Sequence, residues 1–334
     1  KTINFTDATD QGPAGRTYTA VWGDGQTSTG SIAAGATSVN ISHAYADNTG
    51  PYTVDVTVHD NDGVVLQSGS DSFVVNVNNV APIVGLSGAG SVLEGGVYTL
   101  TLNPSDLGTD TIAQYNVQWG DGQDQIVLAA DLPANRQLTH TYADGSVNYT
   151  IKVDVVDEDG VFVNVGTGGS LTVFNVAPTA PVTGADTVAE GSVYTLNVGA
   201  VTDPGQDTRT GYSISWGDGT PTDNFTPAQW AAVQAAGGNL THTYADGVGV
   251  GTPRTVTVSA SDEDGTFVLG TKQLNVTNVD PNLLLGGNAA TNEAASYTLA
   301  ITGTDAAGAA DLLTYSIDWG DGSALQTLTA AQLL

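Results

Sequence analysis

The sequence predicts an all-β protein of tandem β-sandwich repeats, each with about seven strands, with a short helical insert and an extended, rod-like arrangement. A Trp-Gly-Asp-Gly motif recurs four times along the 334 residues, and its tryptophans lie 97, 97 and 103 residues apart. Between the motifs, short segments alternate β-branched with polar residues, as in strands that bury one face. One sandwich per copy is the expected result.

Proline-containing linkers mark the boundaries between the copies. The linkers begin at Asn79, Asn175 and Asn278 and read Asn-Val-Ala-Pro or Asn-Val-Asp-Pro. We therefore number four repeats: 1–81 (repeat 1), which lacks its first strand, 82–177 (repeat 2), 178–280 (repeat 3) and 281–334 (repeat 4), which is the N-terminal half of a repeat.

The predicted elements follow a fixed order within a repeat. VYTLTL, VYTLNV and SYTLAI are strands near the start of repeats 2, 3 and 4, YNVQW and YSISW lead into the Trp-Gly-Asp-Gly motif, and YTVDVTV, YTIKVDVV and RTVTVSA come late. The segment TPAQWAAVQAAGG from Thr226 predicts a short helix, because it has a Thr cap, Pro at the first helical position and two glycines at its end. The C-terminal segment TLTAAQLL has the pattern of a second such helix start.

The Trp-Gly-Asp-Gly motif is predicted to be a tight turn after a strand, because glycine permits positive φ and an Asp side chain accepts hydrogen bonds from nearby backbone N–H groups. We expect the tryptophans in the core and the aspartates in the turn: Trp22, Asp24, Trp119, Asp121, Trp216, Asp218, Trp319 and Asp321. A catalytic or metal-binding role for these aspartates is disfavoured, since no base or nucleophile recurs beside them.

His43, His140 and His242 each precede a tyrosine by two residues, and we expect packing and hydrogen-bonding roles for them.

Composition limits the partners. Against 7 Lys and Arg stand 35 Asp and Glu, a net charge of −28, which disfavours binding to nucleic acid or to an anionic membrane. No segment approaches the roughly 20 apolar residues of a membrane span, so no membrane insertion is expected. The absence of cysteine excludes disulfides and thiolate chemistry. Without methionine or a signal peptide, the chain is expected to be a piece of a longer, secreted protein.

The order of motifs resembles a known family. WGDG, then HTYAD, then an alternating strand that ends in Asp-x-Asp-Gly is similar to the polycystic kidney disease (PKD) domains, immunoglobulin-like β-sandwiches common in large bacterial surface proteins. The resemblance covers essentially the whole chain. The family often has Trp-Asp-Phe-Gly-Asp-Gly, whereas this chain has a bare Trp-Gly-Asp-Gly and long inserts, so a PKD-like bacterial subfamily describes it better. The resemblance implies an extracellular or cell-surface location.

Acidic residues recur in phase and predict calcium as a cofactor, because Ca²⁺ takes about six to eight oxygen ligands. The expected ligands are Asp10, Asp60, Asp62, Asn79, Glu94, Asp106, Asp157, Asp159, Asn175, Glu190, Asp203, Asp262, Asp264, Asn278, Glu293 and Asp305. The PKD resemblance implies a narrower set near each linker: Asn79, Asp106 and Asp157 for repeat 2, and Asn175, Asp203 and Asp262 for repeat 3. In the alternative interpretation, Asp-x-Asp-Gly is only a hairpin turn.

These features predict a structural, non-catalytic array that serves as a calcium-stiffened stalk of a bacterial adhesin or cell-surface filament. The expected partners are neighbouring copies of the repeat, joined head to tail or laterally, and a surface glycan or protein receptor. Two alternatives stay open: an accessory binding array of a secreted enzyme and a subunit that polymerises by strand complementation. The first would have aromatic residues such as Trp230 face polysaccharide, although the position of Trp230 on the predicted helix favours core packing for it. An enzyme is disfavoured, since no cysteine is present and no histidine recurs in phase with a serine.

Overall fold

The computed structural model describes residues 2–4, 15–59, 65–66, 72–246, 253–329 and 332, and within this part of the chain the protein is nearly all-β. The chain forms two compact units, one of residues 1–91, 97–140 and 148–172 and one of residues 92–96, 141–147 and 173–334. The second unit includes two loops of repeat 2, because these loops hydrogen-bond to residues 174–176 and 206. No described helix is long and apolar enough to cross a membrane.

Repeat 1 lies within the first unit. Its strands are β1 (Thr2–Asn4), β2 (Arg16–Val21), β3 (Thr27–Ile32), β4 (Ser38–Asn40), β5 (Pro51–His59), β6 (Val65–Leu66) and β7 (Phe73–Asn76). One sheet has the order β3-β2-β5-β6, with β7 also paired to β5, and β1 pairs with β4. The inward positions of β2 and β5 bury Ala20 and Val54 around Trp22, as strand alternation requires.

Repeat 2 has eight strands in two sheets. The strands are β8 (Ile83–Gly88), β9 (Ser91–Leu93), β10 (Val97–Ser105), β11 (Gln114–Gln118), β12 (Asp124–Leu128), β13 (Gln137–Thr141), β14 (Val147–Val156) and β15 (Val161–Phe174), with a 3-10 turn at Ala129–Asp131. The sheet orders are β13-β10-β8 and β12-β11-β14-β15-β9. Alternate residues of β10, such as Tyr98, Leu100 and Leu102, are buried, which is the period of two that the sequence predicted.

Repeat 3 has the same two-sheet plan within the second unit. Its elements are β16 (Val182–Gly184), β17 (Thr187–Ala189), β18 (Val193–Val198), β19 (Gly211–Ser215), β20 (Asp223–Phe225), α1 (Pro227–Ala235), β21 (Asn239–Thr243), β22 (Arg254–Ser261) and β23 (Thr266–Thr277). The sheet orders are β16-β18-β21 and β17-β23-β22-β19-β20. The short strand β17, near the start of the repeat, pairs parallel to β23 at its end, with Thr187 opposite Asn275.

Helix α1 begins where the sequence predicted. Thr226 is its N-cap, the Thr226 side chain accepts a hydrogen bond from the Gln229 backbone N–H, and the Gln229 Oε1 accepts one from the Thr226 backbone N–H, which is a capping box. The helix buries Trp230, which stacks on Tyr212 at 4.5 Å between ring centroids and meets Phe225 edge-on. The helix is thus part of the core of repeat 3.

The described part of repeat 4 consists of two strand pairs. Its strands are β24 (Asn282–Gly286), β25 (Ala300–Thr304), β26 (Thr314–Ile317) and β27 (Gln326–Thr329), and a 3-10 turn spans Gly308–Ala310. Thr329 hydrogen-bonds through its backbone N and its hydroxyl to the side chain of Gln332, as Thr226 does to Gln229. Of the second predicted helix, only this cap lies within the described residues.

Candidate metal centre

The Trp-Gly-Asp-Gly motif forms a turn whose aspartate is fully engaged. In repeat 3, the Asp218 Oδ1 accepts a hydrogen bond from the Thr220 backbone at 3.1 Å, and the Asp218 Oδ2 lies 2.7 Å from the Nε2 of His242. The His242 ring stacks on Trp216 at 4.6 Å. The hydroxyl of Tyr244 donates to the Trp216 carbonyl at 3.1 Å, which closes the corner.

The same arrangement recurs in the other repeats as far as their residues allow. Trp22 and Trp119 are buried and stack on His43 and His140, whose Nε2 atoms lie 2.6 and 2.7 Å from the Oδ2 atoms of Asp24 and Asp121. In repeat 4, the Asp321 Oδ1 accepts a bond from the Ser323 backbone, but Trp319 is 41% exposed. Both carboxylate oxygens of Asp24, Asp121 and Asp218 are therefore engaged at their turns, as is the Oδ1 of Asp321.

The junctions between successive repeats have a recurring backbone frame, and each junction lies within one compact unit. At the junction of repeats 1 and 2, the Thr109 N–H donates to the Ala46 carbonyl at 3.0 Å, and at the junction of repeats 2 and 3 the Gln206 N–H donates to the Ala143 carbonyl at 2.8 Å. In both cases a loop that follows the early strand of one repeat meets the Tyr-Ala-Asp segment of the repeat before it.

Four carboxylates meet at the junction of repeats 2 and 3, and we call this group the shared cluster. It consists of Glu94 and Asp144 from repeat 2 and of Asp207 and Asp264 from repeat 3. One oxygen from each of the four lies within 4.8 Å of the others. Glu94 is fixed at the end of β9 because its N–H bonds to the Phe174 carbonyl.

Glu94 is the most buried member of the shared cluster. Its side chain is 1% exposed, and its Oε1 accepts a hydrogen bond from the Val176 N–H at 2.7 Å. Its Oε2 has no hydrogen-bond partner within the described part of the chain. A buried carboxylate oxygen without a partner is costly, so this oxygen is a candidate ligand for a cation.

Two glycines leave the space that this arrangement needs. A Cβ at Gly205 would lie 2.6 Å from the carboxyl carbon of Glu94, and a Cβ at Gly145 would lie 2.5 Å from the Asn175 backbone N and 2.7 Å from the Glu94 Oε2. Real Cβ atoms do not approach other atoms so closely. The loops from both repeats can therefore close around Glu94 only because these positions carry no side chain.

Burial and like charge both oppose ionisation of the acids in this group. Burial, together with Asp203, Glu94 and Asp262, raises the pKa of Asp207 to about 7. Burial and the charges of Asp203 and Asp264 also raise the pKa of Glu94. Carboxylates this close resist ionising together unless a cation neutralises them. The oxygens present are the ligands that Ca²⁺ prefers, so the residues fit a calcium ion.

The residues that the PKD resemblance implies as ligands, Asn175, Asp203 and Asp262 (the linker set), lie at the same junction. Some of their polar atoms are hydrogen-bonded or paired, and others have no described partner. The Asp203 Oδ2 pairs with Arg209 at 3.0 Å. The Asp262 Oδ1 accepts bonds from the backbone N–H groups of Asp264 and Gly265, as a turn residue does, while its Oδ2 is buried without a partner among the described residues. Both amide atoms of the Asn175 side chain are likewise buried and lack described partners.

The junction of repeats 1 and 2 has equivalent residues. Asn79 Oδ1, both carboxylate oxygens of Asp106 and the Asp157 Oδ2 are buried without hydrogen-bond partners among the residues described. Burial raises the pKa of Asp110, and the negative charge of Asp106 raises it further. Asp159 accepts a bond from Asn48 at 3.1 Å. Asp10, Asp60 and Asp62, which were also predicted as ligands, lie outside the described residues.

The junction of repeats 3 and 4 brings Glu190, Asp305 and Asp311 together, with one oxygen from each within 4.8 Å of the others. Glu190 accepts a bond from the Val279 N–H at 2.7 Å, as Glu94 does from Val176. The amide of Asn278 lies 3.1 Å from the Glu190 Oε1. Glu293 was predicted as a ligand but is exposed and lies outside this group.

Sequence reasoning missed two members of the shared cluster, Asp144 and Asp207. Asp144 ends a Tyr-Ala-Asp segment that recurs in phase at Asp47 and Asp246, so its signal was present. Asp207 follows Asp203 by four residues, as its counterpart Asp110 follows Asp106, so repeats 2 and 3 also contained a signal for Asp207, whereas Asp311 follows Asp305 by six residues.

No family model and no curated protein matches the chain. Among solved structures, the chain is similar to one described as the tetra-tandem repeat in the extending region of a large adhesion protein. The sequences are 18% identical, the TM-score is 0.36, and the similarity covers 80% of this chain and 68% of the other.

Proposed function

We propose that the protein is a structural, non-catalytic extracellular repeat array, a calcium-stiffened stalk or spacer of a bacterial adhesin or cell-surface filament. The observation that carries the proposal is that successive repeats are joined in the same way. The backbone bond from Thr109 to Ala46 recurs as that from Gln206 to Ala143, and the bond from Glu94 to the following linker recurs at Glu190. Equivalent joints between equivalent modules are what a spacer needs.

Calcium would act at these joints. When bound, it would neutralise carboxylates from two successive repeats and so oppose bending at the linker. The protein supplies the oxygens, while the Val176 N–H orients Glu94 and the glycines at 145 and 205 admit the loops. Extracellular fluids often hold enough calcium for modules with Kd values of about 10⁻⁴–10⁻³ M.

The non-catalytic part of the proposal is supported by the way the histidines are used. His43, His140 and His242 stack on tryptophans and bind turn aspartates. A general base must reach a substrate proton, and these rings are packed against their own turns.

The glycan-binding alternative has lost its specific support. Trp230, the aromatic residue proposed to face a polysaccharide, is 3% exposed and packs inside repeat 3. Polymerisation by strand complementation stays a prediction.

Thermal unfolding of the chain with millimolar calcium, with EGTA and with millimolar magnesium tests the proposal. We expect calcium to raise the unfolding midpoint, because an ion that binds only the folded state adds about 2.7 kcal/mol at one hundred times its Kd. Magnesium should raise the midpoint less than calcium does, since it demands a near-octahedral site and dehydrates reluctantly. Equal midpoints in calcium and in EGTA would overturn the calcium-stiffened stalk.

A further inference from the structure

Six carboxylates converge at the junction of repeats 2 and 3. They are the shared cluster (Glu94, Asp144, Asp207 and Asp264) and the two linker aspartates, Asp203 and Asp262. Arg209 pairs with one of them, Asp203. With all six acids ionised, the local charge is −5. One divalent cation would leave −3, and two would leave −1.

We propose that this junction binds two divalent cations and that one of them is held by the shared cluster, whose ligands come from both repeats. The proposal rests on the calcium dependence proposed above and deepens it. It assigns an ion to the shared cluster in addition to the one that the PKD resemblance implies at the linker set of Asn175, Asp203 and Asp262, which adjoins the shared cluster where Asp203 faces Asp207.

The buried oxygen of Glu94 is an independent observation that points to a ligand. Glu94 Oε2 is almost inaccessible to water and has no described hydrogen-bond partner, and one oxygen of Glu94 is among the four oxygens that lie within 4.8 Å of one another. Both oxygens of Asp207 and the Asp264 Oδ2 are also buried without described partners. A cation among these four side chains would give these oxygens a partner.

The linker set has unpartnered atoms outside the shared cluster: the Asp262 Oδ2 and the amide atoms of Asn175 are buried without described partners, and neither residue belongs to the four carboxylates. Asp203 pairs with Arg209, and one oxygen of Asp262 holds the backbone of its own turn. Asn175 keeps an amide oxygen free for the other ion. Calcium suits the shared cluster better than magnesium, because four carboxylates can offer up to about eight oxygens, whereas magnesium takes six at short, fixed distances.

Calcium stoichiometry on the full chain tests the proposal. Equilibrium dialysis with ⁴⁵Ca²⁺ would compare the wild type with three variants: Glu94→Gln/Asp207→Asn, Asn175→Ala/Asp262→Asn, and the combination of all four changes. We expect each double variant to bind one calcium ion per chain fewer than the wild type, and the combined variant to bind two fewer. Asp124→Asn, which removes an exposed carboxylate in β12, is the control and should keep the wild-type number.

The other outcomes contradict the proposal in distinguishable ways. If the combined variant loses only one ion, the junction has a single site and the two-ion inference is wrong, while the proposed function stands. If Glu94→Gln/Asp207→Asn loses none, the shared cluster is not a site. If the wild type binds no calcium, both proposals fail. Near-ultraviolet circular dichroism of each variant in EGTA must match the wild type, and Glu94→Gln alone replaces any variant that does not fold.

Discussion

At the scale of single residues, the aspartate of Trp-Gly-Asp-Gly has two partners at once. In repeat 3, Asp218 accepts a backbone hydrogen bond with one oxygen and faces His242 with the other. Burial opposes ionisation of Asp218, but hydrogen bonds from Thr220 and His242 outweigh burial and lower its pKa below 3.8. The ionised Asp218 therefore holds both the backbone of its turn and the His242 ring that stacks on Trp216.

This lowered pKa predicts acid sensitivity with a definite sign. A carboxylate with a lower pKa in the folded state stabilises it fully above the unfolded value of 3.8, and this stability is lost as the pH falls through the folded value. We expect Asp218→Asn to remove part of the decline in the free energy of unfolding below pH 4. Urea unfolding between pH 2.5 and 7, in EGTA, measures it. If the free energy of unfolding of the variant declined below pH 4 as steeply as that of the wild type, Asp218 would not contribute this stability.

At the scale of elements, α1 is held by its cap and by one aromatic side chain. Trp230 lies between Tyr212 and Phe225 in the core of repeat 3. We expect Trp230→Ala to cost about 3–5 kcal/mol in the free energy of unfolding, because it removes a large buried side chain and leaves a cavity. Trp230→Phe should cost less. Chemical denaturation of both variants measures the costs, and a neutral Trp230→Ala would mean that the ring does not pack here.

The loops at the junction allow a matched pair of glycine substitutions. A Cβ at Gly205 would meet the Glu94 carboxyl group, whereas Gly90 has nothing within 4 Å of a built Cβ. We expect Gly205→Ala to reduce the calcium-induced rise of the unfolding midpoint and Gly90→Ala to leave it unchanged. Differential scanning calorimetry with calcium and with EGTA gives both values. Equal calcium responses in the two variants would show that the Gly205 loop does not close on Glu94.

Much of the element-level structure could be predicted from sequence, and the candidate site could be predicted only in part. The alternation in VYTLTL and the Thr-Pro start of α1 report local backbone preferences and therefore appear in the sequence. The shared cluster depends on how one repeat meets the next. Asp144 and Asp207 come together through the bond between the Gln206 N–H and the Ala143 carbonyl, and no local pattern specifies such a contact.

At the scale of the whole molecule, calcium should act on flexibility at the joints. Because the ligands of the shared cluster come from two repeats, removing the ion leaves their like charges to repel across the joint. We expect small-angle scattering in EGTA to show a broader distribution of interatomic distances than in calcium. Magnesium at the same ionic strength is the control for screening. Identical distributions in calcium and EGTA would mean that the joints do not respond to the ion.

The parallel pairing of β17 with β23 has a mechanical consequence. β17 lies near the point where the chain enters repeat 3, and β23 ends just before the chain leaves it. Tension that reaches these strands pulls β17 towards its N-terminus and β23 towards its C-terminus, so they are drawn lengthwise past each other. All hydrogen bonds between them then carry the load together, whereas a hairpin pulled from its open end breaks its bonds one at a time. We therefore expect these two strands to separate less readily under tension than the two strands of a hairpin pulled from its open end.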